Sequence, residues 1–150
     1  MGGVPTEVAD ATVFEEAWSE LIDALKRARG RNEPERNGAL TLSQYYLLEP
    51  LLDGGAARMT ALATKAGVSK PVATRMVARL REQGLVSREV DPTDARAVTV
   101  RLTAAGRRSV ASKGAYVESK RHALAEALDP DEREQAARLL RRLAAVIDEI

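Results

Sequence analysis

Apolar positions along this 150-residue chain recur first at helical, then at strand, then again at helical spacing. Phe14, Trp18, Leu21 and Leu25 fall at i, i+4, i+7 and i+11, which predicts a first helix over roughly residues 9–30. Gly30 to Gly38, with Pro34, reads as a loop. Thr41 and Gln44 form a capping-box pattern for a second helix. Pro50 interrupts that helix inside the run LTLSQYYLLEPLL. It has no N–H to give the carbonyl of Tyr46, so a kink or an early stop is expected there, followed by a turn at Gly54-Gly55.

Residues 60–106 carry the densest pattern. A short helix is expected to start at Thr60, whose hydroxyl suits an N-cap, and to stop at Gly67, the residue type that tolerates the left-handed conformation. Ser69 then caps a second helix, with Pro71 in its first turn. Ala73, Met76, Val77 and Leu80 make one buried stripe, leaving Pro71, Thr74, Arg75, Ala78 and Arg79 on the other side. Taken alone this is either an ordinary amphipathic surface helix or one suited to the major groove of DNA. The next twenty residues favour the groove. Gly84 ends the helix, Leu85 to Val90 reads as a strand, and Asp91 to Ala95 as a turn. In the returning strand Val98, Val100 and Leu102 alternate with Thr99 and Arg101 in strict period two. Arg96 near the tip can enter a narrow minor groove, and Asp94 is placed to hold its guanidinium by a charge-assisted bond.

After the hairpin, Thr103 caps a long helix marked by Val110, Val117, Leu124 and Leu128. Asp129-Pro130-Asp131-Glu132 is a restart signal, with a cap, a proline at the first helical position and glutamate at the third. The last helix carries Ala136, Leu140, Leu143, Ile147 and Ile150 on one face, with Leu139 and Val146 beside it. The predicted fold is mainly α with a small β-hairpin wing (α+β), a winged helix-turn-helix.

Charge sharpens this picture. Residues 57–108 hold eleven Lys and Arg against four Asp and Glu, a surplus of +7, while the rest of the chain carries −6, so the net +1 conceals a basic module on an acidic frame. That asymmetry is the footprint of a nucleic-acid-binding region. With 45% hydrophobic and 30% charged residues, the composition is that of one soluble globular domain. The absence of a long apolar run and of a signal-peptide pattern near MGGVPTEVADAT leads us to expect a cytoplasmic protein without a membrane contact. With no cysteine, the chain has no thiol of its own to sense peroxide.

The wing pattern Asp94-x-Arg96, a short strand, Leu102-Thr103 and Gly106, together with the segment GVSKPVATRMVARLREQGLV, resembles the multiple-antibiotic-resistance regulator (MarR) family of bacterial transcription factors. The likeness extends more loosely from about residue 11 to the C-terminus. It implies a homodimer with a winged helix-turn-helix in each subunit, acting as a repressor released by a small ligand or an oxidant. Pro50 departs from the pattern, since the family normally has an uninterrupted helix there.

On this reading residues 1–150 are a single domain in which 9–40 and 107–150 dimerise and 41–106 bind DNA. Ser69, Lys70, Pro71, Thr74, Arg75 and Arg79 are the expected recognition-helix contacts, Asp94 and Arg96 those of the wing, and Thr60 one to the DNA backbone. The wide terminal stripe is most simply buried against a second copy, which places two recognition helices on one face of a near-palindromic operator. Packing of the terminal helices on their own domain is the alternative. Trp18, Tyr45 and Tyr46 are candidates for holding an aromatic effector, or they are core. No cofactor is implied. His122, the sole histidine, reads as a surface residue, and a conventional zinc site is not expected. The chain lacks a phosphate loop, a His-Glu-x-x-His motif and a nucleophile with a partner, so an enzyme is not expected either. The competing function is a winged-helix module that binds protein without reading DNA sequence.

Overall fold

The computed structural model describes residues 6–32 and 39–150, the side chains of 6–10 and 30–32 excepted. The expected loop between Gly30 and Gly38 therefore falls largely outside the described residues, although helix α1 (Thr6–Asn32) already covers Gly30 and runs two residues past it. The chain divides into two compact units, residues up to Thr41 and Leu42–Ile150. In the first, Phe14 and Trp18 stack along α1 with ring centroids 6.2 Å apart, and Phe14, Trp18, Leu21 and Leu25 are all exposed.

The second unit begins with α2 (Leu42–Leu48) and α3 (Leu51–Gly54), which Pro50 separates as its chemistry requires. Then come β1 (Ala56–Arg58), α4 (Met59–Ala66), α5 (Lys70–Glu82), β2 (Val86–Asp91), β3 (Asp94–Leu102), α6 (Ala104–Glu126) and α7 (Pro130–Glu149). Leu47, Leu48, Leu51, Leu62, Val77, Leu80, Val100 and Val110 are fully buried, drawing α2 to α6 and the sheet onto one core. At about 1.5–3 kcal/mol for each such side chain, this shared core is what fixes the helix pair against the strands. Met76 lies at its margin, half-buried.

Two expectations require correction. Thr60 is not the cap of α4: the helix starts one residue earlier, with Arg58 in the cap position and no side-chain cap bond, and Thr60 lies inside the first turn. Its carbonyl accepts the Thr64 hydroxyl at 3.0 Å. The wing is also more than a hairpin. Three strands pair antiparallel in the order β1-β3-β2, with Ala57 opposite Val100 and Arg88 opposite Val100 on the other side.

Several of the other turn and cap signals have direct structural counterparts. Gly67 adopts φ 64° at the end of α4, and Ser69 Oγ accepts the Val72 N–H at 3.4 Å at the start of α5. At the end of α5, Gly84 adopts φ 74° and donates to the Arg81 carbonyl at 2.9 Å, while Leu85 donates to that of Leu80 at 3.0 Å. This pair of bonds is a Schellman motif, and buried Leu80 and Leu85 are its apolar clasp. The same corner receives α6. Thr103 donates its hydroxyl to the Gly84 carbonyl at 2.6 Å and its N–H to the Leu85 carbonyl at 3.0 Å, while its Oγ1 caps Gly106 at 3.0 Å. Asp129 and Glu132 form the reciprocal capping box that opens α7, both bonds 2.9 Å long. None of the α7 side chains is buried, and Leu139, Leu140, Val146 and Ile147 are at least half exposed. Among the described residues no helix is long and apolar enough to cross a membrane.

Candidate nucleic-acid interface

The strand pairing explains how the wing presents its arginine. From Val86↔Leu102 to Val90↔Val98 the β2–β3 register is regular, but the next pair is Asp91↔Asp94, so Ala95, Arg96 and Ala97 have no partner across the ladder. Arg96 therefore sits on an outward bulge, the device that re-aims a side chain away from a sheet. It is exposed, and Pro92-Thr93 forms a tighter tip than the five-residue turn expected. Asp94 does not grip the guanidinium as anticipated: its Oδ1 accepts the backbone N–H of Arg96 at 3.0 Å. It shapes the bulge and leaves the Arg96 side chain free to reach outward.

The wing and α5 enclose a cleft of about 410 Å³ whose lining includes Thr60, Lys70, Thr74, Asp94 and Arg96. Five of the expected site residues are thus brought together. Arg58 and Arg88 line the same cleft and were not anticipated. Arg88 could have been found by extending the strand alternation through Leu85 to Val90. Arg58 carries only its charge as a signal, because a three-residue strand is too short to show a period. Four cations facing one carboxylate make the cleft a phosphate-attracting surface.

Beside it a shallower concavity of about 510 Å³ is formed by Lys70, Pro71, Thr74 and Arg75 at the start of α5. Thr74 donates its hydroxyl to the Lys70 carbonyl at 2.8 Å. With that hydrogen used, the side chain offers a methyl group and an acceptor, which suits a thymine methyl better than a base acceptor. Ser69 is spent on the cap of α5, and Arg79 is exposed in the last turn, lining neither concavity.

The expected effector residues divide between the two units. Trp18 belongs to α1. Tyr45 is buried against Gly114 of α6 and donates to Glu49 Oε1 at 3.0 Å; burial, with help from that carboxylate, pushes its phenol above the ordinary range. Tyr46 is exposed, its ring 5.4 Å from that of Tyr45, and its hydroxyl beside Arg121 favours the charged guanidinium. His122 is a surface residue with Nε2 3.1 Å from Glu126 Oε1. Among the described residues no group of three or more His, Asp or Glu is placed to hold a metal.

A capped helix pair, a three-stranded wing with an arginine on its bulge and a basic cleft between them define a winged helix-turn-helix DNA-binding protein. The MarR family model matches residues 40–98. The transcriptional regulator HosA of Escherichia coli is 32% identical over 104 residues, 69% of this chain and 77% of HosA. The chain belongs to the MarR family, and so is a transcription regulator rather than an enzyme. Among solved structures, BpsR of Bordetella bronchiseptica, whose DNA binding is regulated by 6-hydroxynicotinic acid, is 26% identical with TM-score 0.69, covering 86% of this chain and 98% of BpsR. A mutant of MarR from Escherichia coli in complex with operator DNA is likewise 26% identical, with TM-score 0.68 and coverage of 83% and 91%.

Proposed function

We propose that this protein is a homodimeric repressor that binds a near-palindromic operator. The observation that carries the reading is the placement of Lys70, Thr74 and Arg75 on the exposed start of α5, across a basic cleft from Arg96 on the wing bulge. In this reading residues 41–106 bind DNA, with Lys70, Pro71, Thr74 and Arg75 at base edges or flanking phosphates and Arg96 in the minor groove. Thr60, which lines the cleft, serves as a contact to the DNA backbone. Ser69, Asp94 and Arg79 contribute differently: the first two hold backbone shape, and Arg79 reaches a flanking phosphate. Segments 9–40 and 107–150 dimerise, a role supported by the apolar face that α7 leaves uncovered within the chain. A cytoplasmic location goes with this role.

A second element of the reading is a small aromatic effector, for which Trp18 in the first unit and Tyr45 and Tyr46 in the second are separate candidate contacts. The regulation of the related BpsR by 6-hydroxynicotinic acid supports it. To act as a switch, such a ligand must prefer the dimer whose recognition helices no longer match the groove.

Salt-dependent binding to a duplex carrying an inverted repeat, with half-sites about 10 base pairs apart, tests the reading together with sedimentation of the complex. Two chains per operator and a steep salt slope are expected. A stable monomer that binds one half-site at micromolar concentration would overturn the dimeric reading, and binding indifferent to salt would overturn the DNA reading.

A further inference from the structure

The bulge that presents Arg96 lacks ladder bonds to β2, so side chains must hold its shape. Asp91, at the last regular turn of the wing, divides its two oxygens between two tasks. Oδ1 accepts the N–H of Thr93 at 2.8 Å and its hydroxyl at 2.7 Å, closing the tip. Oδ2 accepts both Nε and Nη2 of Arg58, at 2.9 and 2.8 Å. Arg58 belongs to β1, 33 residues away in sequence and on the far side of β3. Among the described residues this is the one side-chain bond that ties the tip to a strand outside the hairpin. The Asp91 side chain is only 11% exposed, whereas that of Arg58 is 49% exposed, so the carboxylate is enclosed and the arginine covers it from the cleft side.

We infer that Arg58 and Asp91 form a latch that positions the wing tip, and through it Arg96, for the minor groove. Arg58 and Asp91 are then positioning residues. The inference rests on the DNA-binding reading above, and its geometry makes a prediction opposite in sign to simple electrostatics. Removing a negative charge from a protein surface beside a phosphate backbone ordinarily tightens binding. With the latch, Asp91→Asn loses more from a disordered tip than it gains in charge.

The test is an operator-binding titration of Asp91→Asn, Arg58→Ala, Arg58→Lys and Arg96→Ala, with Asp91→Asn also made in the Arg96→Ala background. Asp91→Asn is expected to weaken binding about fivefold or more, and to change little once Arg96 is absent, because coupled residues are non-additive. Arg58→Lys keeps the charge but not the two-donor fork, so it should behave like Arg58→Ala; a plain phosphate contact would be rescued by lysine. Tighter or unchanged binding by Asp91→Asn, or full additivity with Arg96→Ala, overturns the latch. Hydrogen exchange at the Thr93 and Arg96 amides of the free protein, read by NMR, separates the two failures. If the wild-type chain binds no duplex the DNA reading fails, and unchanged exchange at both amides in Asp91→Asn removes the latch by itself.

Discussion

Gly106 offers the sharpest test of how the wing is mounted. A Cβ built there would overlap the Leu85 carbonyl oxygen and crowd the Leu102 side chain at 3.2 Å. The oxygen belongs to backbone, and it cannot retreat freely because it already accepts the Thr103 N–H at 3.0 Å, beside the Thr103 hydroxyl bond to Gly84 at 2.6 Å. Gly106→Ala must therefore either compress this corner or tilt α6 away from it. Compression of a packed site costs about 1–3 kcal/mol. Tilting loses two hydrogen bonds, about 1 kcal/mol each, and loosens Val110 and Leu102. Either route outweighs the gain of a few tenths to about 1 kcal/mol that alanine brings to a helix, leaving a net loss of about 1–2 kcal/mol. For a chain of this length that lowers Tm by about 2–8 °C. Gly114→Ala is the internal control. There the nearest atom is the Tyr45 hydroxyl at 3.3 Å, on a side chain that can adjust, and the helix gain should leave stability unchanged or slightly raised. Thermal and urea unfolding followed by circular dichroism, at one protein concentration, measures both. Equal Tm values for the two variants would refute the argument that α6 is wedged against the Leu85 carbonyl.

Three further outcomes concern other parts of the molecule. Leu80→Ala removes a fully buried side chain that is also half of the clasp closing α5, and should cost about 2–5 kcal/mol in urea unfolding. Thr74→Ala and Arg75→Ala should change which bases are preferred, by about 1–3 kcal/mol at one operator position each, in a binding-site selection experiment; uniform weakening across all sequences would mark them as phosphate contacts instead. Asp91 is held at about 2, below the ordinary 3.8, first by the Thr93 hydroxyl, then by the Thr93 N–H, with Arg58 contributing less. Its stabilising effect is therefore complete above pH 3.8 and is lost as pH falls through about 2. Carboxyl-carbon NMR should find Asp91 still mostly ionised at about pH 3, below the ordinary 3.8, and Thr93→Ala and Arg58→Ala should each raise its pKa.

The helical framework and most of the cap chemistry, Thr60 excepted, were legible because they repeat over many residues or use distinctive residue types. Ser69, Thr103 and the Asp129–Glu132 pair cap where their sequence context predicts, and Pro50 divides its helix because a missing N–H is a local fact. Strand β1 was not legible. Ala56–Arg58 offers three residues and no period, and its pairing partner Thr99–Arg101 lies more than forty residues downstream. Missing that strand hid Arg58, and with it the ion pair to Asp91. The Asp94 error has a different cause. Sequence spacing indicates that Asp94 and Arg96 are close, but not whether the carboxylate meets the guanidinium or the backbone N–H. The bulge decides this, and the bulge is a matter of strand register.

These details converge on the corner at Gly84 and Leu85. Helix α5 ends there, the wing begins there, and Thr103 fastens the start of α6 to both carbonyls. Helix, wing and long helix consequently share one junction, stiffened by buried Leu80, Leu85, Leu102 and Val110. A packed junction of this kind transmits displacement instead of absorbing it. The fine aim of Arg96 is set separately, by the side-chain bonds of Asp91 and Asp94 at the tip. Changes at the corner should therefore move α5 and the wing together and alter the spacing at which an operator is read, whereas changes at the tip should weaken the Arg96 contact and leave that spacing unchanged. Operators with half-sites moved by one base pair distinguish the two: Gly106→Ala should shift the preferred spacing, and Asp91→Asn should not.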